Sequence, residues 1–231
     1  MILPAVLLGV ALGALGARRN GVRYRDERVL WMVGAASSAL NLTVLGAWGA
    51  SWAGLGLRAG AGAALALWAL GSLACAALTP GLDARESRGG WVLSALLKML
   101  QCPFSTLAGF LAALLRGATP RIQAGAWLST VGEGRWAVAL GAFVLAQRGV
   151  LDSEGRLPAP LARHESYHTR NAACLGESGF YLVYLTLGAG RAALCHAPWN
   201  SLARDGRGNP FERTAYAIER ESREALVAHR G

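Results

Sequence analysis

The amino-acid sequence predicts a mainly α-helical fold, in which a membrane region with several helical spans is followed by a small α+β domain. Hydrophobic residues make up 53% of the chain, charged residues only 16%, and the mean hydropathy is +0.32. This composition is typical of chains that cross a lipid bilayer. We expect a transmembrane region of about three helices at 1–90, an interfacial or re-entrant helical segment at 91–118, and a C-terminal domain at 119–231.

Three uncharged runs, at 1–17, 29–57 and 59–82, are each long enough to cross a bilayer. Because positively charged loops stay in the cytoplasm, the arginines after the first run predict a retained span with its N-terminus outside. A cleaved signal peptide is the alternative, but it would need positive charges before its apolar region. Asn41, in the second run, is expected to form an interhelical hydrogen bond. The five arginines are Arg18, Arg19, Arg23, Arg25 and Arg28.

The segment at 91–115 is apolar but is interrupted by Lys98, Gln101 and Pro103. It is either a fourth span, which would place the rest of the chain outside, or a helix-break-helix unit at the inner face of the membrane. We favour the second interpretation, because the break at 101–103 leaves two pieces that are each too short to span. The C-terminal domain is then predicted to lie in the cytoplasm.

Strands are predicted after Pro120. Segments 126–131 and 135–140 flank a glycine-rich turn at 132–134, which is typical of two strands around a turn, and 142–147 is a candidate for a further strand. A single short helix at 136–146 is an equally good interpretation, since periodicity cannot decide an apolar run of that length.

The residues with the clearest chemistry form a His-Glu-x-x-His pattern: His164, Glu165 and His168. Prolines at 158 and 160 suit the start of a helix and Gly176 suits its end, so the motif is predicted to be helical. Two histidines four positions apart lie on one helix face and can bind the same metal ion, while the glutamate can take a proton from water. The alternative is a surface helix with two stacked histidines and a solvated glutamate.

Other features exclude some functions. The net charge of +9 comes without a basic stripe interleaved with aromatic residues, so no nucleic acid is expected as a partner. The cysteines show no C-x-x-C spacing and are expected to be separate thiols. They are Cys75, Cys102, Cys174 and Cys195.

The motif is followed later in the chain by Glu212-x-x-Ala215. This combination resembles the gluzincin-type zinc metallopeptidases, in which the third ligand is a glutamate opening an E-x-x-A helix. A poorly characterised group of bacterial membrane-associated proteins is more narrowly similar, through Pro103-Phe104-Ser105, Gly179-Phe180-Tyr181-Leu182 and Asn209-Pro210-Phe211-Glu212. The resemblance implies a zincin-like domain at the bacterial inner membrane, with Zn²⁺ bound by His164, His168 and Glu212 and with Glu165 as the base.

Glu212 also has a purely structural interpretation. Asn209 is a favoured N-cap, Pro210 suits the first helical position, and Glu212 falls where its carboxylate can cap the same helix. A site with two histidines nevertheless needs a third protein ligand. The other candidates for that ligand are Asp205, His196, Cys195 and Glu219.

Two functions stay open. The first is a membrane-bound zinc-dependent peptidase, in contact with the lipid bilayer, that hydrolyses polypeptides through a metal-activated water. Its oxyanion-stabilising group could be Tyr167, Tyr216 or His196. The second is a non-catalytic integral membrane protein whose motif is a structural or vestigial metal site. A structural site closes its fourth position with a protein ligand, for example His196 or Cys195, whereas a catalytic site leaves that position to water.

Overall fold

The computed structural model describes residues 1–78, 88–195 and 209–228. This part of the protein is mostly helical, with a small four-stranded sheet formed within residues 121–146. The helices are α1 (Ile2–Arg19), α2 (Arg25–Trp52), α3 (Leu57–Leu78), α4 (Arg88–Gln101), α5 (Pro103–Leu115), α6 (Ala159–Leu175), α7 (Glu177–Cys195) and α8 (Pro210–Ala228). The strands are β1 (Arg121–Gln123), β2 (Ala126–Thr130), β3 (Ala137–Leu140) and β4 (Phe143–Ala146), followed by a 3₁₀ turn at Arg148–Val150.

Three helices in the described ranges are long and apolar enough to cross a membrane: Ile2–Arg19, Arg25–Trp52 and Leu57–Ala77. They coincide with the three predicted runs, which confirms that these runs form long apolar helices. Glycines let α1 and α2 approach closely, because a Cβ at Gly9 would overlap the α2 backbone at Ala36. Gly46 of α2 and Gly60 of α3 face each other in the same way.

The outer surface of these helices is apolar, as contact with lipid requires. Exposed side chains include Leu3, Leu7, Val33, Val44, Leu67 and Leu70. Asn41 also lies on this outer surface, and its side chain makes no hydrogen bond within the described residues. The expectation of an interhelical hydrogen bond at Asn41 is therefore wrong.

The predicted break in the segment at 91–115 is confirmed. Helices α4 and α5 meet at Cys102 with a bend of 112°, a geometry that suits either a broken span or a re-entrant pair. Glu177 fixes the bend, because its carboxylate accepts hydrogen bonds from the backbone N–H groups of Phe104 and Ser105 in the first turn of α5. One face of α5 packs on the sheet through Gly109, while the opposite face exposes leucines.

The sheet has the strand order β1-β2-β4-β3. Strand β4 is antiparallel to β3 and parallel to β2, with Trp127 opposite Phe143. Strands are therefore confirmed on both sides of the glycine-rich turn and at 142–147, and the helix at 136–146 is wrong. The two strands around the turn do not pair with each other, because the fully buried β4 occupies the centre between them.

One hydrophobic core joins the membrane helices to the C-terminal helices. It contains Trp31 of α2, Trp68 of α3, Leu175 of α6, Phe180 of α7 and Phe211 of α8. The motif helix is thus packed directly against the bundle of long apolar helices. Buried thiols that form no disulfide with one another are observed at Cys75, Cys102 and Cys174, as expected, whereas the side chain of Cys195 lies outside the described residues.

Candidate metal centre

The motif helix α6 has the ends that the sequence predicts. It follows Pro158, contains Pro160 in its first turn and ends before Gly176, whose φ of 80° is readily available to glycine. His164 and His168 lie one turn apart on the same face, with ring centroids 4.9 Å from each other, and both are buried. The alternative of a solvated surface helix is therefore wrong.

Glu212 reaches this pair from α8. Asn209 caps α8, because its Oδ1 accepts a hydrogen bond from the N–H of Phe211 at 3.1 Å. Glu212 is the third residue of the helix, but its carboxylate faces the two histidines on α6. The predicted cap at Asn209 is confirmed, and the Glu212 carboxylate points into the site.

Three potential ligand atoms converge between α6 and α8. His164 Nε2 is 3.2 Å from His168 Nε2, and the Glu212 oxygens lie 3.5 Å and 3.3 Å from these two atoms respectively. A tetrahedral zinc site with bonds of about 2.0–2.1 Å holds its ligand atoms about 3.3 Å apart. His164, His168 and Glu212 therefore could hold a metal ion.

Two further side chains hold the ligands in place. Glu219, one of the other candidates for the third ligand, lies behind His164, with its Oε2 3.1 Å from His164 Nδ1. A carboxylate in this position would favour the tautomer of His164 whose Nε2 is free to bind a metal ion. Tyr184 of α7 donates a hydrogen bond from its hydroxyl to Glu212 Oε1. Neither contact was predicted; Tyr184 lies in an aromatic run, but no local pattern assigns it a partner.

Glu165, the predicted base, is buried beside the histidines and lines the same cavity. No described residue hydrogen-bonds to its carboxylate. Of the candidates for an oxyanion-stabilising group, Tyr216 lines the cavity with its ring 4.7 Å from that of His164. Tyr167 instead points away, toward Glu27. His196 and Asp205 lie outside the described residues.

The cavity next to the site has a volume of about 470 Å³. The motif helix and α8 form one wall, and the residues at 135–140, including all of β3, form another. β3 is an edge strand of the sheet. Aromatic side chains of α7 also line the cavity, and most of the lining is apolar.

Burial and paired charges set the protonation of the site. Burial lowers the pKa of His164, but hydrogen bonds to Glu212 and Glu219 outweigh it and raise the pKa to about 10. Burial raises the pKa of Glu212, but the two histidines reverse this and hold it well below its usual range. Hydrogen bonding to His164 lowers the pKa of Glu219 to about 2 against the effect of burial. Burial raises the pKa of Glu165, because the neighbouring histidines offset only part of the desolvation.

Comparison of the chain with protein-family models, with curated proteins and with solved structures finds no match. The conclusions about function therefore rest on the geometry of the site.

Proposed function

We propose that the protein is a membrane-bound, zinc-dependent peptidase. The observation that carries the proposal is the convergence of two histidine nitrogens and one carboxylate, with distances of 3.2, 3.3 and 3.5 Å between them, beside a cavity that is also lined by Glu165 and an edge strand. Two histidines and a glutamate are a donor set that zinc binds in hydrolases. In this proposal, the fourth position of the metal ion is left to water, as in catalytic zinc sites.

Zinc held by His164, His168 and Glu212 would supply Lewis-acid chemistry, polarising a carbonyl and lowering the pKa of water to about 7. The chain itself supplies the proton acceptor. Glu165 follows His164 directly on α6, lines the cavity, and has no hydrogen-bond partner among described residues that would compete for its oxygens. In this proposal, Glu165 takes a proton from the attacking water and delivers it to the leaving amine.

The free edge of strand β3 favours a polypeptide as the proposed substrate. The carbonyl of Trp136 accepts a hydrogen bond of 2.9 Å from the N–H of Gln147, so these two residues form a hydrogen-bonded pair across the hairpin. Such pairs alternate along antiparallel strands, which directs the backbone groups of Ala137 and Ala139 to the free edge. An extended peptide could add to this edge through main-chain hydrogen bonds and pass the metal site.

The location of the site is part of the proposal. Two ion pairs attach α8 to the region of the arginine cluster: Arg23, in the loop before α2, pairs with Glu221, and Asp26, in the first turn of α2, pairs with Arg213. If that cluster is cytoplasmic, as the positive-inside rule predicts, the metal site faces the cytoplasm. The protein would then cut polypeptides at the inner surface of a bacterial inner membrane.

The test compares four full-length proteins purified in detergent: the wild type, Glu165→Gln, His168→Ala and the control Glu224→Gln, which changes an exposed glutamate of α8. Zinc per chain and hydrolysis of a fluorogenic peptide library are measured. We expect Glu165→Gln to keep its zinc and to lose at least about 10²-fold in activity, His168→Ala to lose both, and the control to keep both. Equal zinc loss in Glu165→Gln and His168→Ala would overturn the division of roles. A wild type that holds zinc but cuts no peptide would favour the non-catalytic alternative.

A further inference from the structure

We propose that Glu27, in the first turn of α2, is a positioning residue that fixes the spacing of the two metal-binding helices. This inference rests on the metal binding proposed above. Glu27 is fully buried. Its Oε1 accepts a hydrogen bond from the hydroxyl of Tyr167 on α6, and its Oε2 accepts one from the hydroxyl of Thr214 on α8.

The two hydroxyl groups belong to residues that are close in sequence to the proposed metal ligands. Tyr167 precedes His168, and Thr214 lies two residues after Glu212. Both side chains are fully buried, so they can shift only when the backbones of α6 and α8 shift. A slide or separation of the two helices would stretch these hydrogen bonds together with the ligand distances of 3.3 Å and 3.5 Å. One carboxylate thus connects both sides of the metal site.

A carboxylate suits this role better than other side chains. Burying a charge is costly unless hydrogen bonds satisfy it, and here each oxygen has a hydroxyl donor. An ionised carboxylate accepts hydrogen bonds at both oxygens, whereas an amide offers one acceptor and one donor group. Glutamine at this position would therefore reverse one of the two hydrogen bonds.

An exposed ion pair near Glu27 provides a matched comparison. Arg23, in the loop before α2, pairs with Glu221 of α8. The side chains of Arg23 and Glu221 are 43% and 53% exposed. Water competes with such a pair, and its loss should leave the ligand spacing unchanged.

The experiment measures Zn²⁺ affinity by competition with a chromogenic chelator, and the visible absorption spectrum of bound Co²⁺, which reports ligand geometry. We expect Glu27→Ala to lose about 10- to 100-fold in zinc affinity and to change the Co²⁺ spectrum, as removal of supporting residues does at other metal sites. Glu27→Gln should fall between Glu27→Ala and the wild type. The control Arg23→Gln should stay within about twofold of the wild type. Wild-type affinity and spectrum in both Glu27 variants would overturn the proposal.

If Glu27→Ala does not fold, Tyr167→Phe and Thr214→Val carry the same test, since each removes one hydrogen bond to Glu27. Each should lower zinc affinity on its own, and each should have a smaller effect when combined with Glu27→Gln, because an uncharged amide forms weaker hydrogen bonds with the hydroxyl groups than a carboxylate does. Full additivity of the losses in these double variants would overturn the proposal.

A second readout separates this inference from the proposed function. The melting temperature of the zinc-free protein should fall when Tyr167→Phe is introduced into the wild type. It should fall less when the same substitution is introduced into Glu27→Gln. This coupling is measurable whether or not the wild type binds zinc or cuts peptides. If the wild type binds zinc and cuts peptides but the coupling is absent, only the role of Glu27 is contradicted. If the coupling is present but the wild type binds no zinc, only the proposed function is contradicted.

Discussion

Glu212 occupies a helix position where a carboxylate can act as a cap or as a metal ligand, and substitutions separate the two roles. Glu212→Gln keeps the size of the side chain but weakens a zinc ligand, so we expect zinc affinity to fall by about 100-fold or more. Asn209→Ala removes the side chain that accepts a hydrogen bond from the N–H of Phe211, and should lower the free energy of unfolding by about 1 kcal/mol. Its effect on zinc affinity should be much smaller.

Zinc affinity is measured by chelator competition and stability by thermal unfolding of zinc-free protein. Unchanged zinc affinity in Glu212→Gln would exclude Glu212 as a ligand. Glu219 would then be the next residue to test, although its contact with Nδ1 of His164 fits a supporting role.

The charge of His164 predicts how zinc binding depends on pH. Carboxylates raise the pKa of His164 to about 10, so the folded, zinc-free protein carries a proton there at neutral pH. Zinc must displace this proton, and a raised pKa therefore weakens binding increasingly as the pH falls. We expect the apparent affinity to rise about tenfold per pH unit between pH 6 and 8. Calorimetry in buffers with different ionisation enthalpies should detect a released proton; a pH-independent affinity would contradict the prediction.

At the scale of single elements, the free edge of β3 can be tested without disturbing the sheet. The N–H of Ala139 points away from β4, so Ala139→Pro removes a donor at the edge while leaving the β3–β4 hydrogen bonds in place. If extended peptides add to this edge, KM should rise several-fold, with zinc affinity near that of the wild type. Ala139→Ser keeps the N–H and is the control. Equal KM values for both variants would mean that substrate does not pair with β3.

The helices at the membrane were predictable as elements because their signals are local. A long uncharged run identifies a span, Pro103 predicts the break between α4 and α5, and Pro160 with Gly176 marks the ends of α6. Strand pairing is not local. In the order β2-β4-β3, the most deeply buried strand lies at the centre, and the two strands on either side of the glycine-rich turn are not partners in the sheet.

At the scale of the whole molecule, the topology can be measured with reporter fusions. The metal-site helix α8 is attached to the arginine-rich end of α2, and arginine clusters stay in the cytoplasm. Fusions after Arg116 and at Gly231 should therefore both report a cytoplasmic location. A fusion within 53–56, between α2 and α3, should report the opposite side and serves as the control. A periplasmic signal at Gly231 would make the segment at 91–115 a true span.

The sequence by itself determined the three long apolar helices, the ends of the motif helix and the facing pair His164 and His168. These features follow from apolar length, helix-terminating residues and helical periodicity, all of which act over a few turns of chain. Glu212 was predictable through its motif, and the structure brings it to the histidines.

Only the tertiary structure decided how that site is supported. Glu219 behind His164, Tyr184 on Glu212 and the edge strand at the cavity are contacts between separate elements. Glu27 is 140 residues from Tyr167 in sequence, and it meets that side chain because helices α2, α6 and α8 share a core. Such partners carry no local signal, since the hydrogen bonds that satisfy a buried charge depend on which helices pack together.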